Sequence, residues 1–134
     1  MKKLEIFDST LRDGAQGEGV SFSVEDKLRI AGALDRAGVG LIEAGNPFSN
    51  PKDAEFFRRA NTELCLKHAR LVAFGSTRRR GVNVREDQNC AALLASGAPC
   101  AAVFGKGSAW QVREVLCATP EENLEMIFDT VRWL

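Results

Sequence analysis

Four short apolar runs recur along this 134-residue chain, at residues 4–7 (LEIF), 39–42 (VGLI), 71–74 (LVAF) and 101–104 (AAVF). Each is bounded by glycine or polar residues and is short enough for a buried strand. The runs start roughly 30 to 35 residues apart, which is one strand, one helix and their turns. Strands alternating with helices predict a parallel sheet with crossover helices, an α/β fold of about four βα units. The whole chain, residues 1–134, reads as a single domain.

The segments between the runs carry helix punctuation. Ser23 stands as an N-cap before Glu25 and Asp26, whose charges suit the first turn of a helix. Leu28, Ile30, Ala31, Leu34 and Ala37 then form an apolar stripe that stops at Gly38. A second helix is predicted from Asn50-Pro51 through residues 53–66, with Ala54, Phe57 and Leu64 inward. A third covers about residues 87–96, and a short one residues 108–117. The last opens on Thr119-Pro120-Glu121-Glu122, a capping box, and places Leu124, Ile127, Phe128 and Val131 on one face.

Composition narrows the function classes. Eighteen basic residues balance eighteen acidic ones, which removes the electrostatic footprint of a nucleic-acid binder. The most apolar stretch, residues 90–104, is broken by Gly97 and Pro99 and is too short to span a membrane. No apolar segment follows the opening lysines, so no leader is expected and the location is read as cytoplasmic. Cys65, Cys90, Cys100 and Cys117 form no C-x-x-C pair and read as reduced core residues. With His68 the only histidine, a zinc site of ordinary spacing is not expected.

Chemistry concentrates where the runs end. In a parallel α/β protein these turns gather at the carboxyl ends of the strands, where sites form. After the first run come Arg12 and Asp13, followed by Gly14 and Gln16; Glu43 follows the second run. A carboxylate there can bind a hard divalent cation, and a guanidinium can hold an anion bidentately. Glu43 in such a mouth needs a partner, and Arg12 is the natural one. The run Arg78-Arg79-Arg80 reads as a solvated basic face, Trp110 and Trp133 as packing residues, and Phe74 and Phe104 as core residues that could also wall a pocket.

The segment FDSTLRDGAQGEGVSFSVEDKLRIAGALDRAGVGLIEAGNP resembles the opening of the metal-dependent Claisen-condensing TIM barrels, the isopropylmalate, homocitrate and citramalate synthase family. The hydroxymethylglutaryl-CoA lyase shares the D-x-T-L-R-D-G-x-Q signature. NPFSNPKDAEFF, LVAFGSTRR, VFGKGS and TPEENLEMI look most like the citramalate branch. The resemblance implies the N-terminal half of a (β/α)₈ barrel, acting as an acyltransferase that condenses acetyl-CoA with an α-keto acid. It points to pyruvate and citramalate, in the branched-chain route to isoleucine. By the same resemblance Asp13 is a ligand to Mg²⁺ or Mn²⁺, Arg12 polarises the keto oxygen, Glu43 orients Arg12, and Gln16 lies in the substrate shell.

The family completes its metal site with an H-x-H pair that this sequence lacks, so the chain alone is expected to be inactive, a fragment of a longer barrel. Unpaired first and fourth strands invite association, and the full-length protein is expected to be a homodimer. Two rivals stand beside this expectation: a carbon–carbon lyase of the hydroxymethylglutaryl-CoA lyase type, and a non-catalytic open α/β binding module of flavodoxin-like shape.

Overall fold

The computed structural model describes residues 4–134; Met1, Lys2 and Lys3, where the leader reading begins, lie outside the described residues. One parallel sheet runs in the order β1-β2-β3-β4, formed by Phe7–Asp8, Leu41–Gly45, Arg70–Ser76 and Cys100–Phe104. Helices α1 (Val24–Arg36), α2 (Pro51–Glu63) and α3 (Gln88–Ala95) link successive strands. Helices α4 (Ala109–Glu114) and α5 (Pro120–Trp133) follow β4. Sequential strand order is what half of a (β/α)₈ barrel requires. Doubly wound sheets reverse their order at a switch point, so the flavodoxin-like rival is not the arrangement found.

The helix starts follow their caps. Ser23 and Asp26 make a reciprocal capping box on α1, and Thr119 and Glu122 make another on α5. The strand limits differ from the apolar runs. Only Phe7 of the first run lies in β1; after it the Asp8 carboxylate accepts from the Thr10 N–H and hydroxyl, both at 3.0 Å, and turns the chain. The second run starts too early. Gly38 takes a φ of +83° and the Val39 N–H reaches back to the Leu34 carbonyl at 3.1 Å, finishing α1 before β2 begins. Glu43 therefore sits inside the strand, not after it.

The core lies between the sheet and the first two helices. Leu28 and Ala31 of α1, Phe56, Phe57 and Ala60 of α2, Ile42 and Ala44 of β2, and Leu71 and Ala73 of β3 are all buried. Phe56 and Phe57 meet edge to face at 5.3 Å, and each fully buried phenylalanine contributes roughly 1.5–3 kcal/mol. Ala54 faces out; Phe56, one position from the expected Phe57, shares the inner face with it.

Helix α5 is rolled away from the face its apolar spacing suggests. Asn123, Met126 and Thr130 are buried, while Leu124, Phe128 and Val131 are exposed. Polar anchors set this roll. The Thr130 hydroxyl accepts the Arg78 N–H at 2.9 Å, and the Asn123 amide donates to the Lys106 carbonyl at 2.9 Å.

Several other expectations are corrected. All four thiols are free, but only Cys90 is fully buried, and Cys65 and Cys117 are exposed. Trp110 and Trp133 are exposed too, Trp133 under the Arg85 guanidinium at 5.2 Å. The three arginines are not a free basic face: Arg78 pairs with Asp129, Arg79 with Asp87 and Arg80 with Glu122. Among the described residues no helix is long and apolar enough to cross a membrane.

Candidate active site

The loop after β1 is a tight turn. The N–H groups of Arg12, Asp13 and Gly14 all point at the Ser9 carbonyl, at 3.1, 2.8 and 3.1 Å. Leu11 is completely buried and fastens the turn to the core. With Leu11 inward, Arg12 comes to lie against the strand ends and Asp13 faces solvent.

Arg12 is the centre of the site. Its Nε donates to Glu43 Oε2 at 2.7 Å, and its Nη1 donates to Asp13 Oδ1 at 3.0 Å. Its guanidinium carbon stands 4.2 Å from the centre of the Phe74 ring, in cation–π contact. Phe74 in turn stacks on Phe104 at 5.3 Å with planes 15° apart. Three strands thus hold one cation: Glu43 from β2, Phe74 from β3 and, behind it, Phe104 at the end of β4. Glu43 is 2% exposed, so its charge depends on Arg12 for a partner. Among the described residues Arg12 Nη2 bonds nothing and keeps a donor edge for an anionic ligand.

The expected trio is therefore brought together, with Arg12 bridging the two carboxylates. Gln16, in a 3₁₀ turn at Gly14–Gln16, lines the same cavity as Arg12 without touching it through a hydrogen bond. That cavity measures about 260 Å³ and is walled by Phe22, Asn46 and Phe74 as well as Arg12. His68 lies elsewhere, exposed at the opposite end of β3, where its N–H donates to Asp35 at 2.7 Å.

Two buried charges escape the sequence reading. Lys27 of α1 and Asp53 of α2 pair at 2.5 Å on the floor of the cavity. Both fall on the buried side of their helices, beside Leu28 and Ala31 in one case and Phe56 and Phe57 in the other. A charge at an apolar-stripe position is the signal that could have found them. From the sequence Phe74 reads as a core residue that could also wall a pocket, but its role under a guanidinium carries no sequence signature.

A divalent cation is only partly provided for. Asp13 is a hard oxygen donor with its side chain 64% exposed, the right chemistry for Mg²⁺ or Mn²⁺. Among the described residues, however, no three His, Cys, Asp or Glu side chains gather as a cation site. The described residues supply one arm of such a site and not a cage.

Away from the cavity, buried acids are held by backbone donors. The Asp35 carboxyl is lowered to about 2 by N–H groups of Ala69, Lys67 and His68. Burial opposes ionisation of Asp87, but N–H groups of Arg79 and Cys90 and the Arg79 guanidinium outweigh it and lower its carboxyl. Burial pushes the neighbouring Cys90 thiol up, and its side chain is packed wholly inside the protein.

Comparison with known proteins shows likeness along nearly the whole chain. The (R)-citramalate synthase of Streptomyces coelicolor is 54% identical over 129 residues, covering 96% of this chain and 24% of that protein. That of Aquifex aeolicus is 49% identical over 133 residues, covering 99% and 25%. The chain thus spans about a quarter of the length of these curated relatives. The crystal structure of hydroxymethylglutaryl-CoA lyase from Pseudomonas aeruginosa superposes with a TM-score of 0.70 at 23% identity, covering 98% of this chain and 42% of that one. The HMGL-like profile matches residues 3–134, which is nearly the entire sequence, and the chain belongs to the HMGL-like family.

Proposed function

We propose that this chain carries the substrate-polarising part of an acyltransferase that condenses acetyl-CoA with an α-keto acid, pyruvate first, to give citramalate on the route to isoleucine. The observation that supports the reading is the fixing of Arg12 between Glu43 and Phe74 with one donor edge free. Identity of 44–54% to several (R)-citramalate synthases, against 32–36% to 2-isopropylmalate synthases, favours that branch.

In this reading Arg12 does not move a proton. The enolate carbon of acetyl-CoA forms a bond to the keto carbon, and the carbonyl electrons shift onto oxygen. Arg12 Nη2 and Nη1 hold that developing negative charge in place, at no cost of reorganisation, because Glu43 and Phe74 already fix the guanidinium plane. Glu43 orients Arg12, and Gln16 contributes to the substrate shell. A Mg²⁺ or Mn²⁺ ion, held by Asp13 and by ligands from outside this chain, supplies Lewis-acid polarisation when bound. Hydrolysis of the thioester releases CoA thiol and makes the condensation irreversible. The working protein is proposed to be a cytoplasmic homodimer, and the 134 residues alone to be inactive.

The test is release of free CoA thiol from acetyl-CoA by the complete gene product, with pyruvate, 2-oxoisovalerate or 2-oxoglutarate as the second substrate. Pyruvate should support release best, and Arg12→Ala should abolish it. Failure of all three keto acids, or turnover by the isolated 134-residue chain, would overturn the assignment.

A further inference from the structure

The Lys27–Asp53 pair is almost wholly buried. Lys27 is 3% exposed and Asp53 6%. Exchanging such a pair for apolar residues is often neutral or stabilising, so its presence points to what else it holds. Each charge spends a second bond on the backbone of one short stretch. Lys27 Nζ donates to the Ala44 carbonyl at 2.9 Å, and Asp53 Oδ2 accepts the Asn46 N–H at 2.9 Å.

That stretch is irregular. Against β3, Glu43 pairs with Val72 and Gly45 with Ala73, so Ala44 is an extra residue with no register partner. A bulge of this kind bends a strand and re-aims the neighbouring side chains. The neighbour on one side is Glu43, whose carboxylate holds Arg12. On the other side Gly45 takes a φ of +135°, and a Cβ there would lie 2.3 Å from the Asp53 carboxylate. Helices α1 and α2 therefore clamp the bulge from outside the sheet through one ion pair.

We propose that Lys27 and Asp53 are positioning residues that lock the Ala44 bulge and thereby set the aim of Glu43 on Arg12. Their functional weight rests on the condensing reading, but the positioning itself does not. The path has three steps: ammonium to Ala44 carbonyl, bulge to Glu43, and Glu43 to the Arg12 Nε–H. Neither charged group bonds Arg12 or Glu43 directly, so the hydrogen-bonded route from the pair to Arg12 runs through the backbone.

The experiment follows the Arg12 Nε–H by NMR in the arginine-labelled chain, with the Arg78 Nε–H, bonded to Asp129, as internal reference. Lys27→Met strands the Asp53 charge and can unfold the chain, so Lys27→Met/Asp53→Asn, which removes both charges, is the main variant. In the folded double variant, Arg12 Nε–H exchange with water should accelerate about tenfold, the equivalent of one net hydrogen bond, with Arg78 unchanged. Unaltered Arg12 exchange would overturn the proposal. So would equal acceleration at both arginines, which marks general loosening, and so would unfolding of both variants, which marks a folding element. This readout needs no turnover. A chain that behaves as stated, from a gene product that condenses nothing, would defeat only the proposed function.

Discussion

Replacing Gly45 by alanine should be far more damaging than its single methyl group suggests. A φ of +135° lies where an L-residue is strained, at about 1–3 kcal/mol. The new Cβ would meet Asp53 Cγ and Oδ2 at 2.3 Å and Oδ1 at 2.8 Å. Asp53 is not a free side chain that swings aside, because Lys27 and the Asn46 N–H hold both its oxygens. Displacing it breaks a buried pair, which costs about 3–5 kcal/mol. Partial relaxation favours the lower end of each range, giving a loss of about 4–6 kcal/mol. Domains of this size have about 5–15 kcal/mol in total, so the variant should be near its unfolding threshold. The control is Gly19→Ala: its φ of +76° is also left-handed, but nothing lies within 4 Å of the added Cβ, and a loss of about 1–2 kcal/mol is expected. Urea unfolding followed by far-ultraviolet circular dichroism measures both, provided the slopes agree with the parent chain. If Gly45→Ala loses no more than Gly19→Ala, the clamp around the bulge is not as tight as the geometry states.

Two further outcomes follow from other parts of the chain. Asp35 has its folded pKa lowered from 3.8 to about 2, chiefly by the Ala69 N–H and then by those of Lys67 and His68. A lowered value means its stabilisation is fully present above 3.8 and is lost as pH falls through about 2. Asp35→Asn should therefore lower the thermal midpoint at neutral pH and converge with the parent below about pH 2; a constant gap across that range refutes the role given to Asp35. At the site, Arg12→Lys keeps the charge but cannot reach Glu43 and Asp13 together while lying flat on Phe74. Thiol release by the complete gene product should fall by about 10²–10³-fold with the fold intact. Near-native turnover would show that the planar fork is not what the site uses.

The residues that announced the site did so because their chemistry is local. Arg12 and Asp13 are adjacent in sequence after β1, and Glu43 belongs to the next strand, so a regular βα period is enough to bring the three residues together. Caps were legible for the same reason: Ser23 with Asp26 and Thr119 with Glu122 are complete within four residues. The roll of α5 was not, because apolar spacing favours Leu124, Phe128 and Val131, whereas the helix is fastened by Thr130 and Asn123 to backbone groups far off in the chain. Hydrogen bonds that a helix makes to other elements leave no periodicity of their own.

The limits of β2 show the same division, with more at stake. Apolar content places that strand at residues 39–42, which would leave Glu43 as a loop acid free to choose its orientation. In the structure it is a buried strand residue beside a bulge, and its orientation is inherited from the backbone. A loop glutamate could follow Arg12 wherever the guanidinium went; a strand glutamate cannot. The direction of control is then from sheet to glutamate to arginine. Arg12, flexible in itself, becomes a fixed donor because Glu43 and Phe74 are fixed first. The charges that complete this arrangement, Lys27 and Asp53, lie 26 positions apart on two helices. Each alone looks like a misplaced polar residue on an apolar face, and only their meeting under Ala44 gives either a reason to be there.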